Sequence, residues 1–168
     1  MFIQTNRLLL KEITENDFSS LYGLLTNEEV KKTYLVPDFE DESAFMKMFS
    51  HLKKLSEDEN GHTAGIFIGE ALIGLFHKVE IIGDRVEVGY AIHPRHQNLG
   101  YATEALRAGI RYFFEKGFSE VYAGAFKTNL ASLKVMEKAG MQKTKMKAAV
   151  HYRGENRPCV YYSVKSKI

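Results

Sequence analysis

Apolar residues recur along this chain with two periods, and the changes between them mark its elements. A period of two runs through residues 86–92, where Val86, Val88, Tyr90 and Ile92 alternate with Glu87, Gly89 and Ala91. That pattern predicts a strand with two unlike faces. Pro94 ends it, because proline has no N–H to give a ladder. Near Gly100 the period changes. Ala102, Ala105, Leu106, Gly109, Ile110 and Phe113 then fall on one face of a helix.

The same reading extends in both directions. Residues 5–13 read as a strand with Leu8 and Leu10 on one face. Thr14 to Asp17 resembles a capping box, and Phe18, Leu21, Tyr22 and Leu25 follow at helical spacing. A short helix is predicted over 28–34. A longer one is predicted over 41–55, with Phe45, Met48, Phe49 and Leu52 as its buried stripe. Strands over 63–68 and 71–80 flank Gly69-Glu70, a two-residue hairpin signal. Gly83-Asp84 makes the next turn, so three consecutive antiparallel strands are expected before the central loop. A strand over 118–126 precedes a helix that Asn129 caps and Gly140 closes. Two last strands, 142–152 and 160–164, flank a turn at 154–156. Lys143, Lys145 and Lys147 alternate along the first of these and so share a face, as an edge that discourages aggregation or attracts an acidic acceptor. This succession of strands and helices is α+β in class and is read as one domain over 1–168.

Composition narrows the class. The chain has 168 residues, 45% hydrophobic and 26% charged, which suits one globular domain with a core. Its single cysteine, Cys159, excludes an internal disulfide and fits a reducing cytosol. The six histidines show no metal spacing, so no metal is expected. The first residues do not read as a signal peptide, and no apolar run approaches the ~18 residues of a membrane helix. A cytoplasmic enzyme, monomer or homodimer, is the expectation. Charge is uneven. Residues 1–60 hold 7 Lys/Arg and 12 Asp/Glu, hence −5, whereas residues 93–168 hold 14 and 5, hence +9. The C-terminal half therefore suits a polyanionic ligand. Nucleic acid is one such ligand, but aromatic and basic residues interleave too sparsely to support it.

The polar loop at 95–99 joins the central strand to the helix that begins near Gly100. Free amides there are aligned with the positive end of the helix dipole, which makes an anion site, and phosphate is the usual anion. Gln97-Asn98-Leu99-Gly100-Tyr101-Ala102 fits a Q/R-x-x-G-x-G/A motif, and residues 129–141 supply a second matching segment. With these the chain resembles the GNAT superfamily of acetyl-CoA-dependent N-acetyltransferases over nearly its whole length. The run from Gly100 to Leu106 resembles the branch that contains the bacterial ribosomal-protein N-terminal acetyltransferases. The resemblance implies a GNAT fold: a mixed, mostly antiparallel twisted sheet of about seven strands, with helices on both faces, splayed at its centre to hold the cofactor. It also implies acetyl-CoA as co-substrate and transfer to a primary amine by direct attack in a ternary complex.

The resemblance carries over residue by residue. Amides from Leu99 to Ala102, with Thr103, would take the phosphates, and Gln97 and Asn98 would add polar contacts. Backbone groups near Ile92 and His93 would hold the pantetheine arm, and one N–H there would polarise the thioester carbonyl. Asn129 would contact the arm as well as cap its helix. Many members carry a tyrosine seven residues after this Asn to protonate the departing thiolate. Here that position is Met136, which leaves Ser132 as the candidate hydrogen-bond donor. Glu87 is the candidate general base, with a water or one of Tyr152, Tyr161 and Tyr162 as the alternative; a plain surface carboxylate paired with Arg85 is the structural reading. Glu104, in the first helical turn, reads as structural. Tyr34, Phe39, Tyr152, Tyr161 and Tyr162 are candidates for the acceptor pocket. At pH 7 a peptide α-amine is about 10–15% neutral and a lysine amine about 0.04%. A single modest base therefore favours a protein or peptide N-terminus, with a small-molecule amine as the alternative. A non-catalytic acyl-CoA-binding protein, supported by Met136, is the reading outside catalysis.

Overall fold

The alternation over residues 63–92 builds a meander of β3 (Thr63–Ile68), β4 (Ala71–Ile82) and β5 (Arg85–Ile92), antiparallel as expected. The computed structural model describes residues 1–167. One extra residue bulges from β4 between Lys78 and Glu80, so the irregularity lies on the neighbour of the central strand. The first predicted strand is two: β1 (Ile3–Gln4) and β2 (Leu9–Lys11), paired antiparallel. The chain reverses between them, where Thr5 N donates to Leu8 O at 2.9 Å and Thr5 Oγ1 accepts from Leu8 N at 2.9 Å. The turn at Asn6-Arg7 lies inside the run that alternation had marked as continuous.

On one face of the sheet lie α1 (Phe18–Leu25), α2 (Glu28–Lys31) and α3 (Glu42–Glu57). Phe45, Phe49 and Leu52 form the buried stripe of α3. Helix α2 stops short of the predicted 34, and Tyr34 falls in the following loop. On the other face lie α4 (Tyr101–Glu115) and α5 (Leu130–Lys138). Ala105, Leu106, Ile110 and Phe113 of α4 pack on Phe76, Val86, Val88 and Ile92 of the sheet. Burying a side chain such as Phe113 contributes roughly 1.5–3 kcal/mol. At Gly109 a Cβ would lie 2.2 Å from the Phe76 ring, so only glycine lets α4 approach this closely.

After α4 come β6 (Glu120–Phe126), β7 (Gln142–Tyr152) and β8 (Glu155–Lys165). The described residues form one mixed eight-stranded sheet in the order β1-β2-β3-β4-β5-β6-β8-β7. The last hairpin turns at Arg153-Gly154, so β8 begins at Glu155 rather than at 160. Its register slips between Lys143 and Lys147, where Thr144 Oγ1 donates to Tyr161 O at 3.1 Å and accepts from Met146 N at 3.1 Å. That bulge interrupts the even alternation expected of the three lysines. The parallel pair β5–β6 runs only through Arg85–Glu120, Val86–Val121 and Glu87–Tyr122. Beyond Glu87 the two strands part.

Candidate active site

The gap between β5 and β6 opens a cleft of about 740 Å³. Its floor is backbone. His93 N donates to Ile73 O at 2.8 Å, so that amide is spent on β4 rather than left for a ligand. Antiparallel strands alternate their hydrogen-bonding sides. By that alternation Val88, Tyr90 and Ile92 turn their amides away from β4; Val88 spends its amide on the last parallel pair with β6, at Glu87–Tyr122, and Tyr90 and Ile92 face the space that β6 has vacated. Of the two expected arm-holding residues, Ile92 therefore offers a free N–H and His93 does not. The Ile92 carbonyl accepts from Gln97 Nε2 at 2.9 Å, which pins the loop to the end of β5 and occupies the Gln97 amide.

The loop then makes one 3₁₀ turn at Pro94–His96 and enters α4 through Gly100, whose φ of 83° favours glycine. Among the described residues, the amides from Asn98 to Thr103 have no hydrogen-bond acceptor. That is a longer run than the free amides of an ordinary helix start. Asn98, Gly100, Tyr101, Ala102 and Thr103 line the cleft, whereas the Leu99 side chain points to solvent. Arg7, from the N-terminal turn, braces this loop from behind. Its Nη1 donates to Leu99 O at 2.9 Å and its guanidinium stands over the Tyr101 ring at 4.7 Å. Glu104 accepts from Thr5 Oγ1 (2.6 Å), Arg7 N (3.0 Å) and Arg7 Nε (2.7 Å). Partial burial pushes the Glu104 carboxyl up, but Thr5 and Arg7 outweigh it and hold the group below the usual carboxylate range. Glu104 is structural, as expected. Arg7 escaped the sequence reading because its partners arrive from residues 99–104.

Across the gap, Asn129 caps α5 by accepting from Ser132 N at 3.2 Å. Met136 is fully buried in the core and offers the cleft no polar group. Ser132 Oγ instead lies 2.9 Å from the hydroxyl of Tyr90, which reaches over from β5. Burial raises the Tyr90 phenol to about 12, against a lowering by Ser132. Tyr90 had been read only as an apolar strand position.

Glu87, Tyr34, His77 and Tyr161 are further ionisable groups of the cleft wall. Burial, then the neighbouring Glu80, raises the half-buried Glu87 carboxyl to about 7. Arg85 does not pair with it, because Arg85 Nε binds Glu120 at 2.9 Å. No salt bridge among the described residues involves Glu87. Tyr161 lines the same wall, its ring seated where a Cβ on Gly124 would come within 2.7 Å. Tyr34 also lines it, with its hydroxyl 2.5 Å from His77 Nε2. His77 Nδ1 lies 3.1 Å from the Lys78 carbonyl, which only accepts, so Nδ1 donates and Nε2 accepts from Tyr34. Burial lowers the His77 pKa and keeps the ring neutral.

The remaining pocket candidates lie elsewhere. Tyr152 points its hydroxyl at the carbonyls of Lys31 (2.9 Å), Tyr34 (3.2 Å) and Val36 (3.2 Å), tying the last hairpin to the loop after α2. Tyr162 is buried in the α4-side core and donates to Glu137 Oε1 at 3.0 Å. Neither belongs to the cleft wall: Tyr161 and Tyr162 project to opposite faces of β8, and only the former faces the gap. Phe39 packs on Phe45 at 5.1 Å between ring centres, in the core under α3. No cluster of three His, Cys, Asp or Glu able to hold a metal occurs among the described residues. No helix among them is long and apolar enough to cross a membrane.

The family described as acetyltransferase (GNAT) domain matches residues 7–142. The chain belongs to the GNAT family. As a GNAT N-acetyltransferase it is an acyltransferase, and such enzymes act on an amine acceptor. It is 31% identical over 146 residues to an uncharacterized N-acetyltransferase, YoaA, of Bacillus subtilis, a match covering 84% of this chain and 82% of that one. Its fold superposes on a GNAT acetyltransferase of Bacillus anthracis with a TM-score of 0.84 at 23% identity, covering 98% of each chain. It also superposes on the ribosomal-protein α-N-acetyltransferase RimL in complex with coenzyme A, with a TM-score of 0.82 at 18% identity and 98% of each chain. This GNAT chain fits acetyl-CoA on its own atoms. The free amides at 98–103 suit phosphate, and the free edge of β5 suits an extended amide-bearing arm.

Proposed function

We propose that this chain acetylates the α-amine of a protein or peptide N-terminus. The observation that carries the reading is Glu87, a carboxyl raised to about 7 on the cleft wall where β5 and β6 begin to part, and free of any salt bridge among the described residues. A base of that strength matches an α-amine of pKa about 7.7–8.0 far better than a lysine amine near 10.4. RimL, named for α-N-acetylation of a ribosomal protein, supports the same acceptor through its shared fold.

Acetyl-CoA, when bound, supplies the acetyl group as an activated thioester. The chain's own residues do the rest. Amides from Asn98 to Thr103 hold phosphate, with His96 at the same end of the cleft. The open backbone of Tyr90 and Ile92 holds the arm, and the Ile92 N–H is the donor available to a carbonyl oxygen. Glu87 takes the amine proton, and Ser132 faces the leaving sulfur. Tyr34 and Tyr161 shape the acceptor end.

A small-molecule amine is the second reading. The lining favours it: Glu29 and Glu87 are both on the cleft wall, two carboxyls that suit a compact cationic amine. Thiol release from acetyl-CoA, assayed with peptides of varied N-termini, polyamines, aminoglycosides and amino acids, decides between them. Release dependent on peptides alone supports the proposal. Release with small amines alone replaces it, and binding of acetyl-CoA with no release returns the chain to an acyl-CoA-binding role.

A further inference from the structure

The hydroxyl pair Tyr90–Ser132 sits where β5 faces the start of α5, and both residues line the cleft. Ser132 occupies the first turn of α5 and its amide is already bound by Asn129. Its Oγ bonds no backbone carbonyl among the described residues; Tyr90 is its partner. Tyr90, for its part, has Ser132 Oγ at 2.9 Å and Ser132 O at 3.4 Å, and both can accept. A phenol is the more acidic of the two hydroxyls and so the stronger donor. When the phenol donates to Oγ, the serine proton is left free to point into the cleft. The start of a nine-residue helix lies beside it, with a dipole that favours negative charge.

We infer that Tyr90 is a positioning residue for the leaving group: it donates to Ser132 Oγ, and Ser132 in turn donates its own hydroxyl hydrogen to the sulfur of coenzyme A. The pair takes the place of the acid that Met136 cannot supply. This rests on the acetyl-transfer reading above. In that reaction the amine nitrogen bonds to the acetyl carbon and the carbon–sulfur bond breaks. The bonding pair stays on sulfur, and the amine proton passes to Glu87. The sulfur leaves as a thiolate, stabilised by the Ser132 hydrogen bond, and takes its proton from water. Neither hydroxyl is consumed, so a Tyr90 phenol raised by burial is no obstacle: it has only to donate a hydrogen bond.

The test is the pKa of the coenzyme A thiol bound to the protein, read by thiolate ultraviolet difference absorbance in wild type, Ser132→Ala, Tyr90→Phe and the double variant. Ser132→Ala and Tyr90→Phe should each raise it by about one pH unit, and the double variant should raise it no further. Ser132→Thr, which keeps the hydroxyl, should behave as wild type. With an accepted amine, each single variant should lower kcat roughly tenfold at unchanged coenzyme A affinity. A thiol pKa indifferent to Tyr90→Phe would overturn the inference. Single effects that add in the double variant would overturn it too, because Tyr90 would then reach the sulfur by itself. The thiol titration needs no acceptor, so failure of the acceptor reading shows separately, as a wild type that acetylates no peptide.

Discussion

Glu87 answers to two demands of opposite sign. Its carboxyl has a reference pKa of 4.5, and burial with Glu80 raises it to about 7 in the fold. Between those values the folded chain keeps a proton that the unfolded chain releases. Its contribution to stability is therefore complete below about 4.5 and is lost as pH rises through about 7. Proton acceptance needs the carboxylate and so appears only as pH climbs past the same value. Glu87→Gln should separate the two: turnover falls and the acid limb near pH 7 flattens, while the thermal midpoint gains on wild type between pH 5 and pH 8. Melting curves at both pH values and a pH–rate profile check this. Gly100 makes a simpler demand. At φ 83°, with a Cβ placed 3.3 Å from Arg7 Nη2, Gly100→Val should abolish acetyl-CoA binding by calorimetry. That Glu87, Gly100, Asn129 and Ser132 lie near one another on the cleft wall was legible in the sequence, because each belongs to a local pattern. Arg7, Tyr90 and His77 were not, since their partners come from distant segments and their own neighbours look ordinary.

Elements whose period was clean were found with nearly their observed bounds. The α3 stripe and the β3–β4–β5 meander are examples, because one buried face dictates each register. Misreadings came where a turn carries no strong signal. Asn6-Arg7 reverses the chain within an apolar alternation, and Arg153-Gly154 lets β8 start before Pro158 instead of after it. The first of these turns matters for the cleft because it delivers Arg7 to the loop before α4. Arg7→Ala should raise KM for acetyl-CoA about fivefold and leave kcat nearly unchanged, since it loosens the loop without touching the reacting groups. Steady-state kinetics at varied acetyl-CoA would show it. At the other end of scale for an element, Gly109→Ala should cost about 1–3 kcal/mol through the clash with Phe76, a loss visible as a lower denaturant midpoint.

The whole sheet is two half-sheets joined edge to edge by the short pairing of Arg85, Val86 and Glu87 with Glu120, Val121 and Tyr122. A ligand lying along the open edge would complete the join. Coenzyme A should therefore stabilise the fold by mass action, about 2.7 kcal/mol at a hundredfold excess over Kd. It should also slow hydrogen exchange at the amides of Tyr90 and Ile92 more than at His93, whose amide is already bound to Ile73. Equal protection at all three would contradict the open-edge geometry. That edge has an evolutionary consequence. Main-chain atoms are the one part of a protein that substitution does not alter, so a grip made of amides is inherited by every descendant that keeps the two strands apart. The side chains of Tyr34, His77, Glu87 and Tyr161 on the cleft wall have no such protection. Substitution can therefore reshape that wall while the main-chain edge of β5 stays the same.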